Sequence, residues 1–127
     1  MKIFLAEDDL SVQAIATMAL SRVGKHDVTV ARDGLEILEL LKTQKPDLIL
    51  LDVMMPRLNG FETCIKIKEN PETKAIPVIF LTAKAQSHEV QHGMSLGAIG
   101  CILKPFDPMK LHLEIEELLK PKLSLVA

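Results

Sequence analysis

Apolar residues in this chain fall in short runs of Ile, Val and Leu, separated by stretches whose apolar positions repeat every three or four residues. That alternation is expected of βα units wound around a parallel sheet. Five units can be read. Ile3 to Ala6 predicts a first strand, and Val12, Ile15, Ala16, Ala19 and Leu20 form one stripe of a helix that Gly24 stops. Val28 to Ala31 reads as a short edge strand, followed by a helix over Gly34 to Thr43 that buries Ile37, Leu38 and Leu41. Leu48 to Leu51 is apolar without interruption, which a strand tolerates only when helices cover both faces, so it should be central. After Asp52, Pro56 and Gly60 break regular order before a helix from about Phe61 to Glu69. Pro77 introduces a strand from Val78 to Leu81. The helix after it, around Ser87 to Leu96, is polar, offers only Val90, Met94 and Leu96 as an apolar face, and should be the most mobile. Gly93 costs it about 1 kcal/mol relative to Ala. Ile99 to Leu103 is the fifth strand, and Asp107 with Pro108 should cap and open a last helix carrying Leu111, Ile115 and Leu118.

A length of 127 residues suits one domain and no more. A closed eight-stranded βα barrel needs roughly 250 residues, so an open, doubly wound α/β sheet is expected. Ligands of such sheets bind outside the carboxyl ends of the strands, here after Ala6, Leu51, Leu81 and Leu103. Fifteen basic against 17 acidic residues leave a net charge of −2, without a basic field for nucleic acid or an anionic membrane. Aromatic residues make up 3%, with no Trp or Tyr, so stacking platforms for bases or sugars are also missing. Cys64 and Cys101 lack zinc or redox spacing and read as reduced thiols. The first apolar run meets Glu7, Asp8 and Asp9 before a signal sequence or membrane span could be completed, which suggests a cytoplasmic protein.

The expected rim collects Glu7, Asp8 and Asp9 from the first strand, Asp52 from the third, Thr82 from the fourth and Lys104 from the fifth. Clustered carboxylates repel one another unless a cation is present, and a hard divalent ion is their natural neutraliser. Magnesium fits better than zinc, because neither His nor Cys belongs to the set. Lys104 can pair with Asp52 or with an anion beside it, to which the Thr82 hydroxyl can donate. No GxxxxGK[ST] loop is present to cradle a nucleotide. A phosphoryl group bonded to a carboxylate satisfies these groups together, and Asp52 is the candidate nucleophile.

From Lys2 to about Lys120 the chain resembles bacterial response regulator receiver domains of the single-domain, chemotaxis-regulator type. The resemblance rests on the ordered set Glu7-Asp8-Asp9, Leu50-Leu51-Asp52-Val53-Met54-Met55-Pro56, Asn59-Gly60, Leu81-Thr82-Ala83, Gly97-Ala98 and Lys104-Pro105-Phe106. It implies a flavodoxin-like (βα)5 three-layer fold with a five-stranded parallel sheet of order 2-1-3-4-5. Asp52 would accept a phosphoryl group from the phosphohistidine of a sensor histidine kinase or histidine phosphotransfer protein. Asp9, Asp52 and the Met54 carbonyl would ligate magnesium, with Asp8 acting through water and Glu7 as a rim or structural carboxylate. Thr82 and Lys104 would contact the phosphoryl group, and Lys104-Pro105 would be a cis peptide. Such a protein is a switch that catalyses its own phosphorylation and slow dephosphorylation, not a turnover enzyme.

Three positions depart from or qualify the family pattern. Cys101 stands where relatives carry an aromatic ring that turns inward on activation, so a smaller change of the face formed by the fourth helix, fifth strand and fifth helix is expected. Met54 and Lys84 are not water-positioning groups, which suggests slow loss of the phosphoryl group; a lifetime of seconds would contradict it. The resemblance further implies an unidentified downstream protein, no direct contact with nucleic acid or membrane, and a monomer or a weak phosphorylation-dependent homodimer. Residues 1–120 make the domain, and 121–127 read as a natural tail or the start of a truncated linker, with a single-domain protein favoured. A small magnesium-dependent phosphohydrolase and a degenerate receiver acting as a constitutive binding module are the alternatives. His88 and His92, four apart, read as solvated surface residues, and His26 and His112 do not converge on the rim.

Overall fold

The computed structural model describes residues 1–83 and 87–120. Five parallel strands, β1 (Lys2–Ala6), β2 (Asp27–Ala31), β3 (Leu48–Asp52), β4 (Val78–Thr82) and β5 (Gly100–Leu103), form one sheet of order β2-β1-β3-β4-β5. The helices are α1 (Leu10–Met18), α2 (Gly34–Leu40), α3 (Gly60–Glu69), α4 (Ser87–Ser95) and α5 (Leu111–Leu119). The flavodoxin-like topology expected from the sequence is present, with β3 central and β2 at an edge.

Alternation along the strands divides the core in two. Ile3 and Leu5 of β1, Leu48 and Leu50 of β3, and Ile79 and Leu81 of β4 pack with Ala16 of α1 and with Leu111 and Ile115 of α5. Phe4, Ile49, Leu51, Val78 and Phe80 face the other way, onto Ile37 of α2 and onto Cys64 and Ile67 of α3. Every residue of β3 is buried, as its uninterrupted apolar run requires.

Several boundaries differ from the sequence reading for local reasons. The first helix widens into a π-helical turn over Ala19–Val23, where the Gly24 N–H reaches the Ala19 carbonyl at 3.0 Å and Ala19 and Leu20 stay buried. The second helix ends at Leu40, and residues 41–43 continue as a turn that still buries Leu41. Asp107 caps a turn ahead of α5, accepting from the Met109 N–H at 2.9 Å, and the helix itself starts at Leu111. On α4, Met94 is 41% exposed instead of facing inward. The close contact is Gly93, where a Cβ would come within 2.8 Å of the Phe80 ring. The glycine that weakens this helix is what lets it sit on β4. Cys64 is wholly buried, and its thiol donates to the Leu96 carbonyl at 3.7 Å.

Candidate functional site

The polar residues gather where the strands end, and the side-chain phase of each strand decides which of them meet. Leu5 is in register with Leu50. Carried on by two residues, that register sets Glu7 beside Asp52, both on the face that Ile3, Leu5, Leu48 and Leu50 give to α1 and α5. On β5, Ile102 shares this face, and Lys104 follows it two residues on. The Lys104 N–H, bonded to the Thr82 carbonyl at 2.7 Å, fixes the backbone at that point.

The ammonium of Lys104 accordingly reaches both acids. Nζ donates to Glu7 Oε1 at 3.0 Å and to Asp52 Oδ1 at 3.1 Å. Glu7 is 0% and Asp52 3% exposed. Carboxylate oxygens of Glu7, Asp8 and Asp52 all lie within 4.8 Å of one another, and they form the one such group of three among the described residues. Three acids at this spacing with one ammonium leave a surplus of negative charge on hard oxygen donors, which suits a divalent cation. The Met54 N–H also donates to Asp52 Oδ1, at 3.3 Å, while the Met54 side chain is 74% exposed.

Asp9, expected as a ligand, lies outside this group. Its exposed carboxylate caps α1, accepting from the N–H groups of Ser11 at 2.8 Å and Val12 at 3.2 Å. Glu7, read as a rim or structural carboxylate, occupies the place beside Asp52 instead. Two signals in the sequence could have separated them: Glu7 keeps the parity of Ile3 and Leu5, and an Asp directly before a helical stripe is a cap. Thr82 is buried at the end of β4, next in chain to Leu81, the register partner of Asp52. The Lys104-Pro105 peptide is cis, as expected. Lys84 falls outside the described residues.

Burial and the adjoining Asp52 push the Glu7 carboxyl up to about 7, against the pull of the Lys104 ammonium. Burial alone would lower Lys104, but its hydrogen bond to Glu7 and the charges of Asp52 and Glu7 outweigh that and hold it above its ordinary value. A carboxyl raised on folding contributes stability that is complete below its unfolded pKa and is lost as pH rises through its folded value, here between about 4.5 and 7. In metal-free protein, Glu7→Gln should therefore gain stability relative to wild type on going from pH 5 to pH 8. Paired thermal melts in EDTA measure this, and a relative loss over the same interval would contradict it.

Cys101 is half-buried on β5, in register with Phe80. Burial, with a smaller contribution from the Glu89 carboxylate, raises its thiol pKa, and burial raises that of Cys64. Neither cysteine is poised as a thiolate. Aromatic volume on this side comes from Phe80 and Phe61, whose rings meet edge to face at 5.1 Å, with His92 against Phe61 at 4.7 Å.

Residues 3–116 match the family described as response regulator receiver domain, and the chain belongs to it. Members of this family are phosphoacceptor switches and not conventional enzymes. Among solved structures, the chemotaxis response regulator CheY4 of Vibrio cholerae is similar at 30% identity and TM-score 0.86, over 93% of this chain and 98% of that one. The Mn(2+)-bound form of response regulator Rcp1 is similar at 28% identity and TM-score 0.76, over 92% and 90%. Among curated proteins, the alkaline phosphatase synthesis transcriptional regulatory protein PhoP of Bacillus subtilis is 36% identical over 119 residues, covering 94% of this chain and 48% of that protein. The chain thus spans about half the length of the first curated relatives it matches. Its Glu7, Asp8 and Asp52 cluster is typical of receiver domains that bind divalent metals. No described helix is long and apolar enough to cross a membrane.

Proposed function

We propose that Asp52 is the phosphoacceptor of this receiver domain and takes its phosphoryl group from the phosphohistidine of a sensor histidine kinase or histidine phosphotransfer protein. The observation that carries the reading is the joint grip of Lys104 on Asp52 and Glu7, with Asp8 beside them at the carboxyl ends of the strands. An Asp52 carboxylate oxygen forms the new O–P bond as the N–P bond to imidazole breaks, and the imidazole leaves and takes up a proton. Lys104 faces the negative charge on the transferring oxygens, and the Thr82 hydroxyl donates to one of them. Asp8, Asp52 and the Met54 carbonyl would hold magnesium, with Glu7 in the acidic pair where Asp9 was expected. The ion, when bound, offsets charge on the phosphoryl oxygens.

The output is a population shift of the face made by α4, β5 and α5, read by a downstream protein in the cytoplasm. A thiol at position 101 has no ring to swing, so this shift is small and starts from Thr82 and the segment after β4. Amide spectra recorded with and without a beryllofluoride phosphoryl analogue test this. Large changes around Asp52, Thr82 and Lys104 with small ones on α4 and α5 are expected. Changes across that face as wide as in an aromatic-bearing receiver would overturn the reading.

A further inference from the structure

The loop between β3 and α3 carries the Met54 carbonyl, yet its middle has few ties to the rest of the fold. At its ends, the Val53 N–H donates to the Leu81 carbonyl and the Gly60 N–H to the Val53 carbonyl, both at 3.0 Å. Between them Arg57 holds a φ of 65°, a left-handed conformation that a Cβ disfavours. A residue with a side chain stays there when its surroundings over-determine it.

The surroundings here are the start of α2. Arg57 Nε donates to Asp33 Oδ2 at 2.7 Å, and Nη2 lies 2.5 Å from the same oxygen. The other Asp33 oxygen accepts from the Glu36 N–H at 3.0 Å, so the carboxylate is fixed by the helix before it reaches the loop. Gly34 leaves room for the approach, since a Cβ there would stand 3.0 Å from the Leu58 carbonyl and run into the Thr63 hydroxyl. An ordinary surface ion pair would contribute little. This one differs because the Asp33 side chain is only 5% exposed and its partner sits on strained backbone. Asp8, Asp33, Pro56 and Arg57 line one cleft, so the pair borders the acidic cluster.

We propose that Arg57 and Asp33 are a positioning pair that clamps the β3–α3 loop onto the start of α2 and so fixes the Met54 carbonyl for the divalent cation. The inference rests on the metal site assigned under the proposed function. Neither residue touches the cation; both act through the loop backbone.

Magnesium titrations of the full chain, followed through the amide signals of Met54 and Asn59, test it with five variants. Arg57→Ala removes the guanidinium. Arg57→Gly removes it while relieving the backbone, and Asp33→Asn keeps an oxygen for the α2 cap. Each should bind magnesium roughly tenfold more weakly, the range seen when groups supporting a metal ligand are lost. Combining Arg57→Ala with Asp33→Asn should cost no more than either change alone, and Arg57→Lys should restore much of the affinity. Binding by Arg57→Gly and Asp33→Asn within about twofold of wild type, or additive losses in the double variant, would overturn the clamp. A wild-type protein whose loop amides ignore magnesium would overturn the metal site itself, and the clamp with it.

Discussion

Asp52→Asn is expected to abolish phosphoryl uptake from acetyl phosphate and magnesium while leaving the protein folded. The substitution keeps the size of a side chain that is 5% exposed and leaves an oxygen for the Met54 N–H and Lys104 Nζ. What it removes is the charged nucleophile. An amide oxygen beside an ammonium has no comparable tendency to attack phosphorus, so the rate should fall roughly a thousandfold or more, as when an enzyme loses its nucleophile. Labelling that persists would move the acceptor to another residue, and a small magnesium-dependent phosphohydrolase or a constitutive binding module would then have to be reconsidered. The variant should also retain the β3 core, because Leu48 to Leu51 are untouched.

Lys104→Met should have the largest effect on stability, and the effect should depend on metal. Lys104 is the one cation that bonds Glu7 and Asp52 among the described residues, both nearly inaccessible to water. Removing one partner of a buried ion pair costs several kcal/mol, because the other charge stays buried without compensation. The cost here should be smaller, about 2 to 3 kcal/mol in EDTA, since Glu7 can take up a proton. Magnesium supplies the missing positive charge, so it should stabilise the variant more than the wild type. Urea denaturation at pH 7.5 with EDTA and with magnesium measures both differences. Equal stabilities in EDTA would mean that Lys104 does not hold the acids together.

Much of this was legible because the chain states its fold in strongly periodic signals. The consecutive Leu48, Ile49, Leu50 and Leu51 could only be a strand covered on both faces, and it stands at the centre of the sheet. Asp52 and Lys104 could be placed as strand-end residues, and they meet. Glu7, not Asp9, stands with Asp8 and Asp52; three consecutive acids look alike in composition, whereas strand parity and helix capping separate their places. The seat of α4 was also hidden: a glycine contributes nothing to an apolar stripe, yet Gly93 makes the contact with Phe80. The tie between Asp33 and Arg57 joins residues 24 apart in sequence through a backbone conformation that no residue pattern announces. Residues 84–86, ahead of α4, and 121–127 lie outside the described residues.

The most direct measurement is a mass analysis of the intact protein after incubation with acetyl phosphate, with peptide mapping of the product. One phosphoryl group on the peptide that holds Asp52, gained with magnesium and not in EDTA, is the expected result. No gain with magnesium, equal gain in EDTA, or a phosphoryl group on any other residue would contradict the assignment of Asp52 as the acceptor of a metal-assisted transfer.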